Sequence, residues 1–553
     1  MYSQKLAALL RAWRVPCLVA LGAIGVGVPA WALSNSVGEG GIDARRLHDE
    51  PYLLTGRKIA IGQVEIGRPS QFGLDKVADA DLPVKVSRVF FLDQQPSPNQ
   101  YVDGHAANVA SVMISQDKTL TGVAPEAILY AAAIGPIRGR SGQPEECFAS
   151  QQLALSNGGD LRAINFSFGE SLARDPRPDA MLDGNALLTL CIDWSQRVHD
   201  TLYVVAGNQG GGGIPIPTDN FNGINVAYSR EVDGRFTKVD FANLSSEPDF
   251  RPQRSPGPES NVGDRRSINL VAPGSQIDVI NPNGESRVVS GTSFAAPHVT
   301  AVVALLQEWA DRQIRSADQS WSLDAREPMV MKAVLLNSAD KLADSGNGLL
   351  LGMSRTLYDE SNLTWLDSDA YRDPTRPLHA DLGTGHLNAT RALQQLNGGQ
   401  WSVAEPVPVI GWSFGTAESP LPPELPRTES AVLQRDYVFD QPLRGGSYLS
   451  ATLTWERLVV LNDTNDNGLY DFEETFSDRG LNNLDLYLMR AEDNDIANSV
   501  WSSISEVDSL EHIFAQVPTT GQYKLRVVYR QQIEDELAQD YALAWWAVAD
   551  SAE

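Results

Sequence analysis

Between residues 56 and 310, short apolar runs alternate with amphipathic stretches of helical length. "IAIGQVEIGRP" (59–69) comes first, with Ile59, Ile61 and Val64 apolar, Glu65 at the point where the run ends, and Gly67 and Pro69 turning the chain. "ILYAAAIG" (128–135), "LRAINFSFG" (161–169), "TLYVVAGN" (201–208), "GINVAYS" (223–229) and "SINLVAPG" (267–274) have the same strand-like character. "CFASQQLALSNGG" and "NALLTLCIDWSQRVHD" read as crossover helices between them, 328–345 as a further helix, and "GTGHLNATRAL" (383–393) as a turn into a last one. The alternation predicts an α/β domain over 56–400, a mostly parallel sheet with helices on both faces, preceded by an extension at 33–55. Sheets of this kind carry their reactive groups on loops at strand ends.

A proline-rich stretch, "AEPVPVIGWSFGTAESPLPPELPRTES", follows and marks residues 401–428 as a linker or an extended edge. Beyond it the period changes. "YLSATLTWERLVV", "NNLDLYLMR", "EHIFAQV", "QYKLRVVYR" and "YALAWWAV" alternate as strands with no helical pattern between them, which predicts an all-β sandwich over 429–553.

Composition narrows the function. A chain of 553 residues exceeds one ordinary domain, and 42% hydrophobic content suffices for sizeable cores. The net charge of −26 disfavours nucleic acid and anionic lipid as partners and suits divalent cations. At the N-terminus Lys5, Arg11 and Arg14 precede an apolar run that ends on Ala30 and Ala32 in the spacing cut by signal peptidases. Residues 1–32 therefore read as an export signal, an uncleaved anchor being the alternative that Gly25, Gly27 and Pro29 weaken. The expected location is extracellular or periplasmic, with no stable membrane association after cleavage and a monomeric state. Once Cys17 leaves with the signal, Cys147 and Cys191 remain. A disulfide and two buried thiols are both compatible with that pair.

The stretch most informative for chemistry is "VVSGTSFAAPHVTAVVALLQEW" (288–309), where Ser293 opens an apolar helix. A helix N-terminus favours the negative charge that develops in acyl transfer, although a serine there is also a common N-cap. "YVDGHAANVASVM" (101–113) sets His105 at the head of another helix, and "VVAGNQGGGG" (204–213) sets Asn208 at the end of a strand. With "TGVAPEAILYAAAI", "INFSFG", "LVAPG" and "GTGHLNATRAL" in the same order, residues 56–397 resemble the subtilisin-like serine proteases.

The resemblance implies Ser293 as nucleophile, His105 as general base and Asn208 as oxyanion donor. It also implies that Ser167, Phe168 and Gly169 pair with the substrate backbone and wall its pocket. The family order of acid, histidine, serine lands the acid position on Glu65, where relatives end the strand in Asp-Thr-Gly or Asp-Ser-Gly; Asp75 is the nearest alternative, past the turn. Glutamate is longer by about 1.5 Å, a displacement that can cost about 10²-fold if uncompensated. Asn108 stands where the family usually has a second histidine, which reads as a packing variation, and His298 reads as structural. His48, His199, His379, His386 and His512 have no nucleophile motif beside them and default to surface or core roles.

"DTNDNGLYDFEE" (463–474) places Asp463, Asn465, Asn467, Asp471 and Glu474 in the spacing of an EF-hand-type calcium loop, with Gly468 at the turn and the Leu469 carbonyl as a ligand. Its strand-like flanks predict a structural Ca2+ staple rather than a sensor, with a solvated acidic loop as the alternative. The segments around it resemble the C-terminal β-barrel or jelly-roll domain of some long subtilisin-like proteases. The combined expectation is an exported, calcium-binding serine endopeptidase acting on proteins or peptides. The rival is a non-catalytic surface or adhesion protein with the same fold.

Overall fold

The computed structural model describes residues 33–69, 83–91, 102–135, 141–207 apart from 179, 216–239, 265–316, 320–418, and 433–550 apart from 531, 534, 535 and 537. The export signal, Asp75 and Asn208 lie outside the described residues. Two short helices, α1 (Leu33–Val37) and α2 (Arg45–His48), lead into β1 (Ala60–Glu65). There follow β2 (Val86–Phe91), α3 (Gly104–Ile114), β3 (Ile128–Ala133), α4 (Gln143–Ala154), β4 (Leu161–Phe166), α5 (Leu187–His199), β5 (Leu202–Ala206), β6 (Ile224–Val232), β7 (Arg235–Lys238) and β8 (Leu270–Pro273). A hairpin of β9 (Ile277–Ile280) and β10 (Ser286–Val289) precedes α6 (Thr292–Arg315), α7 (Pro328–Asn337), β11 (Leu357–Tyr358) and α8 (Ala389–Leu396).

Among the described residues nine strands form one sheet in the order β11-β7-β6-β5-β4-β1-β3-β2, with β8 also pairing β6. All pairs are parallel except β6 with β7. β1 lies between β3 and β4, so the chain winds away from it in both directions. The helices that follow β3 and β4, α4 and α5, pack together on one face, while α3 and α6 cover the other, and the crevice at the carboxyl end of β1 lies between these two layers. Side-chain alternation supplies the two layers. Val64, Ile164 and Phe166 pack with Leu153 of α4 and Leu188 of α5 on one face. Ile61, Ala163 and Val204 pack with Val109 of α3 and Val299 and Val303 of α6 on the other.

Two sequence expectations are corrected here. The helix predicted over 328–345 stops at Asn337. Asp340 has a non-local task instead: its backbone bridges His386 and its carboxylate, fully buried, holds Arg355 and Arg391 at 3.0 Å each. "YLSATLTWERLVV" is two strands, β14 (Tyr448–Trp455) and β15 (Leu458–Asn462), once the preceding β12 (Ile410–Glu418) and β13 (Leu433–Val438) are counted. The break falls at Glu456 and Arg457 because both are buried against the α/β layers, Arg457 Nη2 lying 2.6 Å from Asp193 of α5.

The remaining strands are β16 (Thr475–Gly480), β17 (Asn483–Arg490), β18 (Trp501–Ser503), β19 (Leu510–Gln516), β20 (Tyr523–Arg530) and β21 (Ala538–Trp546). They build two antiparallel sheets, β12-β21-β14-β19 and β13-β20-β17-β18, and a β15-β16 hairpin. Leu453, Trp455, Leu543 and Trp545 of the first sheet share a core with Tyr437, Leu486 and Tyr523 of the second. The alternate residues of β14 face the other way: Ser450 and Thr452 donate to Asn337 Oδ1 at 2.9 and 3.1 Å, and Thr454 donates to the Met329 carbonyl at 3.1 Å. Within the proline-rich stretch, β12 is the extended edge of this sheet, and its Trp412 belongs to the α/β core. Cys147 and Cys191 form a disulfide that joins α4 to α5, with Cα atoms 5.8 Å apart. Among the described residues no helix is long and apolar enough to cross a membrane.

Candidate active site

Glu65 ends β1 inside the crevice and is 3% exposed. Gln63, two residues earlier, donates to the Ala106 carbonyl at 2.9 Å and so fixes the start of α3 against the strand. Asp103 caps α3 by accepting from the Ala106 N–H at 2.8 Å, which places His105 in the first turn. The two elements bring His105 Nδ1 to 3.1 Å from Glu65 Oε1, with the imidazole 40% exposed toward the crevice. Glu65 Oε1 nevertheless accepts no aligned hydrogen bond, so the ring N–H points off the carboxylate oxygen. The longer side chain reaches the imidazole at the right distance and the wrong angle.

Electrostatics follow from this pairing. Burial opposes the charged form of Glu65 and raises its pKa, against the lowering pull of His105 and the Ile66 N–H. Burial works against His105 as well, but the Glu65 and Asp103 carboxylates outweigh it and lift the imidazole above its ordinary value.

Ser293 enters from α6, which shares a layer with α3. Gly291 adopts φ 148°, a conformation open to glycine, and the chain then turns directly into α6. Pro297 lies four residues on within the helix, so the Ser293 carbonyl loses its intrahelical donor. Ser167 replaces it, its Oγ donating to that carbonyl at 2.8 Å, while Ser293 Oγ donates back to the Ser167 carbonyl at 3.2 Å. Asn165, fully buried, supports the exchange by donating to Ser167 Oγ at 2.8 Å and accepting from Thr300 Oγ1 at 3.3 Å. Packing of α3 on α6 sets the His105 ring 5.7 Å from Phe294, next to Ser293. Proline four residues after Ser293 was the available signal for the Ser167 and Asn165 supports, which the motif reading missed.

The other expected site residues divide. Ser167 faces α6, whereas Phe168 stacks on Phe166 at 5.1 Å in the core of the α4 and α5 layer, and Gly169 continues the chain past β4. Gly207, ahead of Asn208, donates to the Val226 carbonyl at 2.9 Å. Asn108 is buried. His298 is buried and bonded through Nδ1 to the Phe294 carbonyl at 2.7 Å, and burial pushes it down to about 4.

The predicted calcium loop joins β15 to β16. Asp463 accepts from the N–H groups of Asn465 at 3.0 Å and Gly468 at 2.6 Å, with Gly468 at φ 74°. Asn465 and Asn467 both aim their amides at Asp471 Oδ2 at 2.8 Å, and Leu469 N–H donates to Asn467 at 2.6 Å. Glu474 accepts from the N–H groups of Thr464 at 2.7 Å and Asp471 at 2.9 Å, which hold it below the usual carboxylate range. Among the described residues no group of three or more His, Cys, Asp or Glu side chains could hold a metal ion. The loop closes on itself through hydrogen bonds from its amides to Asp463 and Asp471. It is docked on α4: Tyr470 exchanges hydrogen bonds of 2.6 and 3.0 Å with Gln151, and Phe472 stacks on Phe148 at 5.2 Å.

The model of the subtilase family matches residues 42–353. Subtilisin NAT of Bacillus subtilis subsp. natto is 25% identical over 300 residues, covering 52% of this chain and 66% of its own. M-protease of Shouchella clausii is 26% identical over 233 residues, covering 41% and 51%. The chain thus spans less than two thirds of the length of these relatives. Among solved structures, the prenylagaramide maturation protease PagA aligns at 21% identity and a TM-score of 0.39, over 61% of this chain and 92% of that one.

Proposed function

The chain belongs to the subtilase family, and we propose that it is an exported serine endopeptidase of proteins or peptides with Ser293, His105 and Glu65 as its triad. The observation that carries the reading is the 3.1 Å contact of a buried acid with a half-exposed imidazole beside the N-terminus of the serine-bearing helix. In this reading Ser293 Oγ turns from the Ser167 carbonyl and attacks the scissile carbonyl as His105 takes its proton. The resulting imidazolium is stabilised by Glu65. The Ser293 backbone N–H and the Asn208 amide hold the oxyanion, a donor of this kind being worth about 10²- to 10³-fold. His105 then gives its proton to the leaving amine, and water activated by the same imidazole releases the acyl group. The Ser167, Phe168 and Gly169 backbone supports the substrate, and the Ser167 side chain fixes Ser293.

The disulfide between α4 and α5 supports an oxidising destination. Asp463, Asn465, Asn467, Asp471, Glu474 and the Leu469 carbonyl supply hard oxygen donors that suit Ca2+, whose part would be to hold the hairpin against α4. Labelling with a fluorophosphonate probe in calcium-containing buffer tests the proposal: wild type reacts and Ser293→Ala does not. Equal failure of both favours the rival reading, a non-catalytic surface protein, to which the off-axis acid and the Ser293 to Ser167 bond lend support.

A further inference from the structure

Three buried glutamates lie at the same end of the sheet, in the opposite layer. Glu145 and Glu146 lie in the first turn of α4, after β3, and Glu170 follows Ser167–Gly169, after β4; they are 4, 3 and 6% exposed. Because β3 and β4 flank β1, these acids border its carboxyl end from the α4 layer, while His105 and Ser293 border it from the α3 and α6 layer. Glu170 is well held: its backbone exchanges hydrogen bonds of 2.8 and 3.1 Å with Ile216, and its Oε1 accepts from the Gly142 N–H at 2.6 Å.

The second oxygens are different. Glu146 Oε2 and Glu170 Oε2 are buried and accept no hydrogen bond. Burial, and then the neighbouring Glu170 and Glu145, hold Glu146 well above the usual carboxylate range. Arg174, whose charge is felt by both Glu146 and Glu170, is itself exposed. Native interiors leave few buried acceptors without donors, and each costs the desolvation of the group. No group of three acids among the described residues is placed to hold a metal ion. A multi-donor organic cation suits two separated carboxylate oxygens better, and a guanidinium presents its donors as a planar fork.

We propose that Glu146 and Glu170 form a receptor for a cationic side chain, arginine above all, on a peptide laid across Ser167–Gly169. The inference rests on the endopeptidase reading for the identity of its substrate, but recognition needs no turnover. The competing account is that Glu146 stays protonated and serves only to fill space, in which case glutamine replaces it without consequence for selectivity.

The test uses the full-length protein carrying Ser293→Ala and a set of peptides in which one arginine is walked through an otherwise alanine and glutamine sequence. Calorimetry is expected to find a position where arginine binds about 10- to 100-fold more tightly than glutamine, the range of a charged hydrogen bond. Glu146→Gln and Glu170→Gln should each erase most of that ratio. An absence of positional preference for arginine overturns the proposal, as does a preference that survives both substitutions. If either glutamine variant fails to fold, the position scan alone decides. Hydrolysis by the wild type is read separately: selective binding without cleavage removes the peptidase reading and leaves the receptor in place.

Discussion

The crevice at the carboxyl end of β1 and the seam between the α/β layers and the β-sandwich both bury charge, and they treat it in opposite ways. In the crevice, Glu146 and Glu170 each keep one carboxylate oxygen without a hydrogen bond. At the seam, Asp193 binds Arg457 and accepts from the N–H groups of Phe221 at 3.1 Å and Asn222 at 2.9 Å. The Phe221 ring lies between the Arg457 and Arg265 guanidinium groups, at 4.2 and 3.7 Å. Lys332 completes the cluster by donating to the Phe221 and Asn222 carbonyls at 2.8 and 3.1 Å. The seam also has unsatisfied atoms, Lys341 Nζ, Arg391 Nη2 and His512 Nε2, but burial lowers all three, Lys341 to about 7 and His512 well below its ordinary value. Charge completed by the chain itself is a structural joint, whereas charge left short of donors is a place for something else to bind.

Substitutions can break that contrast, and the largest effects belong to the crevice. Ser293→Ala should lower turnover of a peptide substrate by on the order of 10⁶-fold while leaving the melting temperature close to wild type. Glu65→Gln should cost up to about 10⁴-fold, and an unchanged rate would move the acid role elsewhere. The pH profile adds a direction. His105 must be neutral to accept a proton, and its raised pKa places the acid limb of kcat/KM above the ordinary histidine value. Glu65→Gln removes the main raising influence and leaves burial, so the limb should move to lower pH even as the plateau falls. A limb that stays put would mean that Glu65 does not act on His105.

At the seam the effects should fall on stability instead. Arg457→Met strips the counter-charge from buried Asp193 and is expected to cost about 3–5 kcal/mol in urea unfolding, with kcat per folded molecule retained. Cys147→Ser should cost about 2–4 kcal/mol through loss of the α4 to α5 cross-link. Smallest is the calcium loop, where a chelator should lower the melting temperature by a few degrees and an unchanged value would count against bound Ca2+.

Much of the parallel sheet was legible because an apolar strand announces itself over consecutive residues: Ile128–Ala133, Leu161–Phe166 and Leu202–Ala206 fall inside their predicted runs. Errors arose where a distant partner overrode the local pattern. Asp340 ends α7 early to meet Arg355 and Arg391, and Glu456 and Arg457 split one apparent strand in two. For the site, the order Glu65, His105, Ser293 was readable from motifs, and the support given to Ser293 by Ser167 was not.

The sequence by itself determined which segments of the parallel sheet are apolar strands and where its main helices lie, since hydrophobic period acts between near neighbours along the chain. Tertiary structure alone decided that Cys147 meets Cys191, that Phe168 turns into the core, and that Glu65 reaches His105 at 3.1 Å but off the N–H axis. Distance and angle between groups far apart in sequence are set by how the layers pack, and a hydrogen bond weakens steeply with misalignment that no spacing of letters records.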